Sequence, residues 1–191
     1  MITEKEYIEG LKKGDEKFFR NLVEDFQHQL IRICNGFVHN REDALDLAQE
    51  VFIEAFQSIH SFRGDSRLST WLYRVAVNKS LNFIRKQKRK IYSLSSYDAF
   101  ENNARIDSED EPVVPDTKME QGQRDQYIRQ AIDSLPESQR IAFILNKYDD
   151  LSYKEVSEIM NVSLSAVESL IHRAKTNLQK KLYRLYKKNM I

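Results

Sequence analysis

The stretch Leu151–Lys181 constrains the fold most, because its spacing predicts two helices joined by a tight turn. Ser152 and Glu155 have the spacing of a capping box, in which each side chain satisfies a free backbone amide at a helix start. Asn161 is expected to end this first helix, because asparagine tolerates the left-handed backbone found at helix C-termini. Ser163 can cap a second helix directly afterwards. The stretch therefore predicts a helix-turn-helix.

The second helix of this pair has an apolar face and a polar face. Its apolar residues recur at steps of four, three and four and predict one buried stripe: Val167, Ile171, Ala174 and Leu178. Such a helix is slim enough to enter a DNA major groove and read base edges. The residues expected on the reading side are Ser165, Ser169, His172, Arg173, Lys175 and Thr176. Residues 171–188 hold seven basic side chains and no acidic one, which favours phosphate contact, although a plain helical hairpin with a basic solvated tail is the alternative.

The composition predicts an all-α protein without cofactor, metal site or membrane insertion. Five glycines, three prolines and no regular period-two alternation of apolar residues argue against a sheet protein. No run of about eighteen apolar residues and no signal-peptide pattern occurs, so we expect a cytoplasmic protein. Cys34 is the single cysteine and the histidines lack ligand spacing, which excludes an internal disulfide and makes a metal site improbable.

The net charge of +1 hides a strong segregation of charge along the chain. Residues 63–90 hold nine basic side chains against one acid, whereas residues 92–122 hold eight acids against two bases. Residues 91–122 also lack an apolar period and are predicted to be a flexible acidic linker. With 41% hydrophobic residues, the flanking segments 1–90 and 123–191 can each form a small helical domain.

The first domain is predicted to contain a short N-terminal helix, with Thr3 in a capping box and Gly14 as its end, followed by a long core helix to His39. A further helix over residues 41–62 has an apolar face formed by Leu45, Ala48, Phe52, Ala55 and Ile59. Its other face is acidic, which would repel DNA and suit a basic protein partner. An ordinary solvated face is the alternative, since acids are favoured near helix starts.

A loop over residues 63–67 precedes a helix that opens near Thr70 and reaches Lys90. Trp71 and Tyr73 alternate here with basic side chains, an arrangement typical of single-strand binding, in which bases stack on rings and cations follow the backbone. The alternative is that Trp71 is a core residue with a charged rim.

Residues 126–134 and 137–148 are predicted to form two helices that complete a four-helix C-terminal unit. Pro136 stands where the second of them can begin. The expected core positions are Ile128, Ala131, Ile132, Leu135, Ile141, Phe143, Ile144 and Leu145.

Three segments resemble the extracytoplasmic function group of bacterial sigma factors, in the sigma-70 family. DLAQEVFIEAF at residues 46–56 resembles the segment that docks on the clamp helices of the RNA polymerase beta-prime subunit. Residues 62–86, FRGDSRLSTWLYRVAVNKSLNFIRK, are similar to the loop and helix that capture the melted minus-ten element. Residues 134–175 are similar to the domain that reads the minus-thirty-five element.

The resemblance implies a non-enzymatic initiation factor that binds core RNA polymerase, including its beta subunit, and promoter DNA, with an anti-sigma factor as a further partner. It implies polymerase contacts at Asp46, Gln49, Glu50 and Phe52. It implies minus-ten contacts at Phe62, Arg63, Asp65, Ser66, Trp71, Tyr73, Arg74 and Asn78. It also implies that the reading side of the second helix faces the minus-thirty-five duplex, although Glu168 and Leu170 stand where many members have basic residues. A stand-alone helix-turn-helix regulator with an N-terminal sensing or dimerisation domain is the competing hypothesis.

Overall fold

The computed structural model describes residues 4–98 and 117–187, which form eight α-helices and one 3-10 turn without any strand. The N-terminal domain comprises α1 (Glu4–Lys12), α2 (Glu16–Val38), α3 (Arg41–Ser58), the 3-10 turn (Ile59–Ser61) and α4 (Leu68–Asp98). The C-terminal domain comprises α5 (Thr117–Asp133), α6 (Glu137–Lys147), α7 (Tyr153–Met160) and α8 (Leu164–Lys187). The all-α prediction is confirmed for the part of the chain described. None of these helices is both long and apolar enough to span a bilayer.

The N-terminal domain is built on the hairpin of α2 and α3. The backbone at His39 is left-handed (φ 56°) and ends α2, and Asn40 then caps α3 by accepting from the amides of Glu42 and Asp43. α1 and α4 pack against this hairpin. The fully buried side chains at its centre are Leu22, Leu30, Ile33, Cys34, Phe37, Val51 and Leu72.

The predicted end of α1 is confirmed, because Gly14 has a positive φ of 73° that only glycine adopts freely. The expected cap at Thr3 lies outside the described residues.

The predicted helix-turn-helix is present in α7 and α8. Ser152 and Glu155 form the reciprocal capping box, and Asn161 ends α7 with a φ of 53°. The Ser163 hydroxyl accepts from the amide of Ala166 and caps α8. The predicted stripe on α8 is buried in full, with Val167, Ile171, Ala174 and Leu178 at most 8% exposed.

Two details of the sequence predictions are wrong. Leu45 is 37% exposed, because α3 buries Ala44 and Leu47 in its place. Ile128 is 42% exposed, since the buried residues of α5 begin one turn later, at Ala131.

The helices on both sides of the predicted linker are longer than expected. α4 continues to Asp98 and α5 begins at Thr117, so both extend into residues 91–122. The remaining linker residues, 99–116, lie outside the described part of the chain.

The two domains pack against each other through α2 with α6 and through α4 with α7. The domains approach closely at Gly36, because a Cβ atom there would lie 2.7 Å from Cγ2 of the fully buried Ile144. Polar contacts also join the domains: Arg32 to Asp149 at 3.4 Å, His39 to Asp133 at 3.1 Å, and Arg85 to Glu137 at 2.8 Å. The absent side chain at Gly36 therefore permits this contact between the domains.

We expect Gly36→Ala to separate the domains while stabilising α2. The new methyl group overlaps Ile144, but alanine is favoured over glycine inside a helix by about 1 kcal/mol. Small-angle X-ray scattering should show a larger radius of gyration. Gly122→Ala is the matched control, because a Cβ there meets nothing within 4 Å. An unchanged radius for Gly36→Ala would contradict the role assigned to this glycine.

Candidate nucleic-acid and polymerase interfaces

The loop at residues 62–67, which we call the promoter-reading loop after the role predicted for it, connects the 3-10 turn to α4 and turns at Gly64, whose φ is 79°. Arg63 and Asp65 are exposed, whereas Ser66 is half-buried. Phe62 is only 7% exposed and packs on the half-buried Trp71, with ring centroids 5.2 Å apart. The Phe62 ring therefore supports the loop from below, and Trp71 packs against the core while it remains half-buried.

Tyr73 lies in the core, which departs from the prediction that it lines the DNA surface. It is 6% exposed, its ring packs edge-on to Phe26, and its hydroxyl donates to Gln29. Burial raises the pKa of Tyr73 to about 12. Its position is fixed by these two contacts with α2.

Arg74 and Asn78 face the C-terminal domain across a cleft of about 730 Å³. The Arg74 guanidinium donates to the backbone carbonyl oxygens of Glu158 and Ile159, at the end of α7. A helix C-terminus carries partial negative charge, so a cation is stabilised there. Asn78 is exposed within the cleft. In this arrangement the Arg74 guanidinium, which was predicted to bind DNA, is hydrogen-bonded to the helix-turn-helix domain.

The reading side of α8 is open to solvent. Ser165, Ser169, His172 and Arg173 are exposed, whereas Thr176 is half-buried and donates to the carbonyl oxygen of His172. The Arg173 guanidinium folds back on the Ser169 carbonyl at 3.2 Å, within its own helix.

Lys175 is also exposed but lies toward a different surface from Arg173. It lines a shallow apolar groove together with Phe143, Leu178 and Tyr183. The structure thus places five of the six predicted minus-thirty-five residues together and Lys175 at their edge.

The exposed face of α3 carries three of the four predicted polymerase contacts, Asp46, Gln49 and Glu50. Phe52 does not belong to this face. It is 7% exposed, because it lies one helical turn from the buried residues Ala48 and Ala55 and shares their side of α3.

The acidic face of α3 is partly neutralised within the protein. Lys79 of α4 lies 3.3 Å from Glu50 and 3.0 Å from Glu54. Partial burial lowers the pKa of Lys79, but its bonds to the two carboxylates outweigh this effect and the pKa is raised overall. The surface therefore offers less free negative charge than the sequence alone suggested.

Two apolar side chains complete this face and were missed in the sequence. Ile53 is 56% exposed and Phe56 is 52% exposed, with the Phe56 ring edge-on to Phe19 at 5.1 Å. They follow Asp46 and Gln49 at the three- and four-residue steps that place side chains on one helix face. This three- and four-residue spacing in the sequence would have identified Ile53 and Phe56 as members of the same face. We define the α3 face as Asp46, Gln49, Glu50, Ile53 and Phe56.

Asp149 is an acid buried between the domains. Its side chain is fully buried, its Oδ1 lies 3.4 Å from Arg32, and Oδ2 has no hydrogen-bond partner among the described residues. Burial raises the pKa of Asp149 to about 6, and the Arg32 guanidinium only partly offsets it. No group of three His, Cys, Asp or Glu side chains within residues 4–98 and 117–187 could hold a metal ion.

Two family models and several known proteins are similar to this chain. Family models for sigma-70 region 2 and for sigma-70, region 4 match residues 22–90 and 125–178. The ECF RNA polymerase sigma-E factor of Escherichia coli (strain K12) is 36% identical over 98% of both chains. The RNA polymerase sigma-H factor of Pseudomonas aeruginosa is 32% identical over 95% of this chain and 96% of its own.

Two solved structures have a similar fold. CnrH, solved in complex with the cytosolic domain of CnrY, has a TM-score of 0.65 and 19% identity, covering 93% of this chain and 96% of its own. The sigma factor RpoE of Bartonella quintana, crystallised with the anti-sigma factor NepR, has a TM-score of 0.59 and 22% identity, covering 87% and 98%.

We expect Asp149→Asn to stabilise the protein at neutral pH and not in acid. The folded state binds the Asp149 proton more tightly than the unfolded chain, since the pKa rises from 3.8 to about 6. The ionised side chain therefore costs up to about 3 kcal/mol above pH 6, and the cost disappears as the pH falls toward about 4. Asparagine cannot ionise, yet it keeps the Oδ1 acceptor for Arg32.

Thermal unfolding of wild type and Asp149→Asn across this pH range measures the effect. The variant should melt higher at about pH 7, and the two curves should meet near pH 4. Asp125→Asn, which changes an exposed carboxylate, is the control. A difference in melting temperature that does not vary with pH would contradict the assigned pKa.

Proposed function

Because the chain belongs to the extracytoplasmic function group of the sigma-70 family, we propose that it directs core RNA polymerase to promoters by reading two elements in different states. The upstream element is read as duplex by α8, and the minus-ten element is read as melted single strand by the promoter-reading loop. The observation that carries this proposal is the presence of two separate exposed basic surfaces, on the loop and on α8, each built on its own packed helical domain.

Duplex reading is supported by the geometry of α8. The buried stripe of α8 holds it against α6 and α7, so its orientation is fixed and Ser169, His172 and Arg173 project away from the core. A bidentate side-chain contact to a base discriminates by about 1 to 3 kcal/mol. Arg173 has the fork of donors that such a contact needs. The basic side chains that follow Arg173 along α8, including Lys180 and Lys181, are exposed and can contact phosphate groups.

Single-strand reading is supported by the promoter-reading loop, where Arg63 and Arg67 are exposed and the rings of Phe62 and Trp71 pack together. The loop cannot open DNA by itself. Opening on the order of ten base pairs costs roughly 14 kcal/mol at about 1.4 kcal/mol per step. Each stacked base returns only about 1 to 3 kcal/mol. The remainder must come from the polymerase, which explains why such a protein acts as a subunit.

The contact between the two domains would have to change when the chain docks on core polymerase. Arg74 bonds to the end of α7 and reaches DNA only after the domains separate. We therefore propose that docking on core polymerase and separation of the domains occur together.

The α3 face is the surface proposed for docking on the polymerase clamp helices. Gln49 and Glu50 supply polar contacts, and the exposed Ile53 and Phe56 supply apolar area. A partner that buries both apolar side chains gains roughly 1.5 to 3 kcal/mol for each.

An anti-sigma factor is the further partner proposed for this chain. CnrH and Bartonella quintana RpoE share its fold, and each was solved bound to another protein. RpoE was crystallised with a protein named as an anti-sigma factor.

In vitro transcription with core polymerase and a random promoter library tests the proposal. Purified wild-type chain should select promoters with both an upstream and a minus-ten element. Phe56→Ser, which replaces a 52% exposed ring, should weaken core binding by at least about tenfold. Glu42→Gln, an exposed change at the first turn of α3, is the control. A chain that shifts duplex DNA but never associates with core polymerase would instead support the stand-alone regulator.

We expect Arg173→Ala to relax selectivity at one or two upstream base pairs, because it removes a donor fork from the exposed reading side. Lys180→Ala should weaken binding to all sequences alike, since a phosphate contact carries no sequence information. Competition binding across single-base variants of the selected upstream element measures both effects. An unchanged preference profile for Arg173→Ala would refute its assignment as a base-reading residue.

A further inference from the structure

We propose that α1 positions the promoter-reading loop, with Lys12 holding the start of the loop and Glu4 holding its end. Neither side chain is among the residues that the family resemblance implies for DNA contact, and neither needs to touch DNA for this role. The inference rests on the proposed function, because it assumes that residues 62–67 capture a melted base.

Lys12 fixes the first residue of the loop. Its Nζ atom donates to the carbonyl oxygen of Phe62 at 2.7 Å, in a partly buried position. The amide of Phe62 is already bonded to the carbonyl of Ile59, which closes the 3-10 turn. Both backbone polar groups of Phe62 are therefore held, and a bond to a charged donor is stronger than one between neutral groups.

Glu4 fixes the residue at which the loop becomes helix. Its Oε1 atom accepts from the amide of Leu68 at 2.7 Å, and Leu68 is the first residue of α4. The first amides of a helix lack partners within the helix, and the macrodipole favours a carboxylate beside them. A cap of this kind usually comes from the residue just before the helix, but here it comes from α1, 64 positions away.

α1 is itself held firmly enough to transmit this constraint. Leu11 is 4% exposed and belongs to the core, and the Tyr7 ring packs edge-on to Phe18 at 5.6 Å. Gly10 lets α1 lie close to α2, because a Cβ atom there would come within 2.4 Å of the Phe18 ring. α1 also contacts the 3-10 turn directly. The two anchoring side chains therefore project from a fixed helix rather than from a mobile segment.

The two contacts determine what remains free in the loop. Residues between the anchors include Gly64 and the exposed Arg63 and Asp65, and only this short span has to adjust to a base. A loop ordered before binding does not lose that conformational freedom when the base arrives, so the affinity is higher. It also holds one shape, which favours one base over others.

The test compares anchor variants with changes on the same helix. Lys12→Met and Glu4→Ala remove the two contacts, singly and together, and Lys12→Arg is the conservative variant that keeps a charged donor. Lys5→Met and Glu9→Ala are matched controls, because both native side chains are exposed on α1. Each chain is assembled with core polymerase. Single-stranded oligonucleotides carrying the minus-ten sequence of a selected promoter, and all its single-base variants, are the probes.

We expect the Lys12→Met and Glu4→Ala pair to weaken binding of the matched oligonucleotide by about tenfold or more, the scale of one lost charged hydrogen bond. The ratio of matched to mismatched affinity should fall as well. Lys12→Arg should recover most of both losses. The controls should remain within about twofold of wild type, and core polymerase affinity and binding of the upstream duplex should be unchanged in every variant.

Two results would overturn the inference alone. One is wild-type affinity and base selectivity in the double variant. The other is a parallel loss of core affinity, upstream duplex binding and thermal stability, which would show that α1 only stabilises the domain. A wild-type holoenzyme without preference for any single-stranded sequence would instead refute the proposed function.

Discussion

Each helix in the described part of this protein buries one apolar side, and that burial determines which residues remain available to partners. The stripe of α8 is the clearest case, because Val167, Ile171 and Ala174 are at most 1% exposed and leave Arg173 on the outside. Burying a side chain the size of Val167 or Ile171 is worth roughly 1.5 to 3 kcal/mol, more than a typical surface ion pair contributes. The positions that are buried along each helix therefore determine which face of that helix remains exposed to partners.

The same constraint explains why three aromatic residues within the predicted contact segments are interior. Phe52, Phe62 and Tyr73 are all 7% exposed or less and belong to the hydrophobic core. Phe62 underlies the promoter-reading loop, and Phe52 underlies the α3 face. An aromatic residue inside a motif that binds a partner can thus be needed for the backbone geometry of the motif, because large rings gain more from burial than from exposure.

Packing between the two domains also determines which residues are exposed to partners. The contact combines the close approach at Gly36 with charged pairs such as Arg85 with Glu137, and exposed pairs of this kind contribute little each. The same contact covers Arg74, which bonds to the end of α7. The buried carboxylate of Asp149, with its pKa raised to about 6 by burial, opposes the packed state at neutral pH.

The sequence by itself determined the all-α class and the caps of α7 and α8, because capping boxes, left-handed end residues and apolar periods act over a few neighbouring positions. Ser152, Asn161 and the α8 stripe are such cases. Only the tertiary structure decided that Tyr73 is interior and that Lys12 and Glu4 meet the loop. These outcomes depend on which side of a helix meets another helix distant in sequence, and a local pattern carries no information on that pairing.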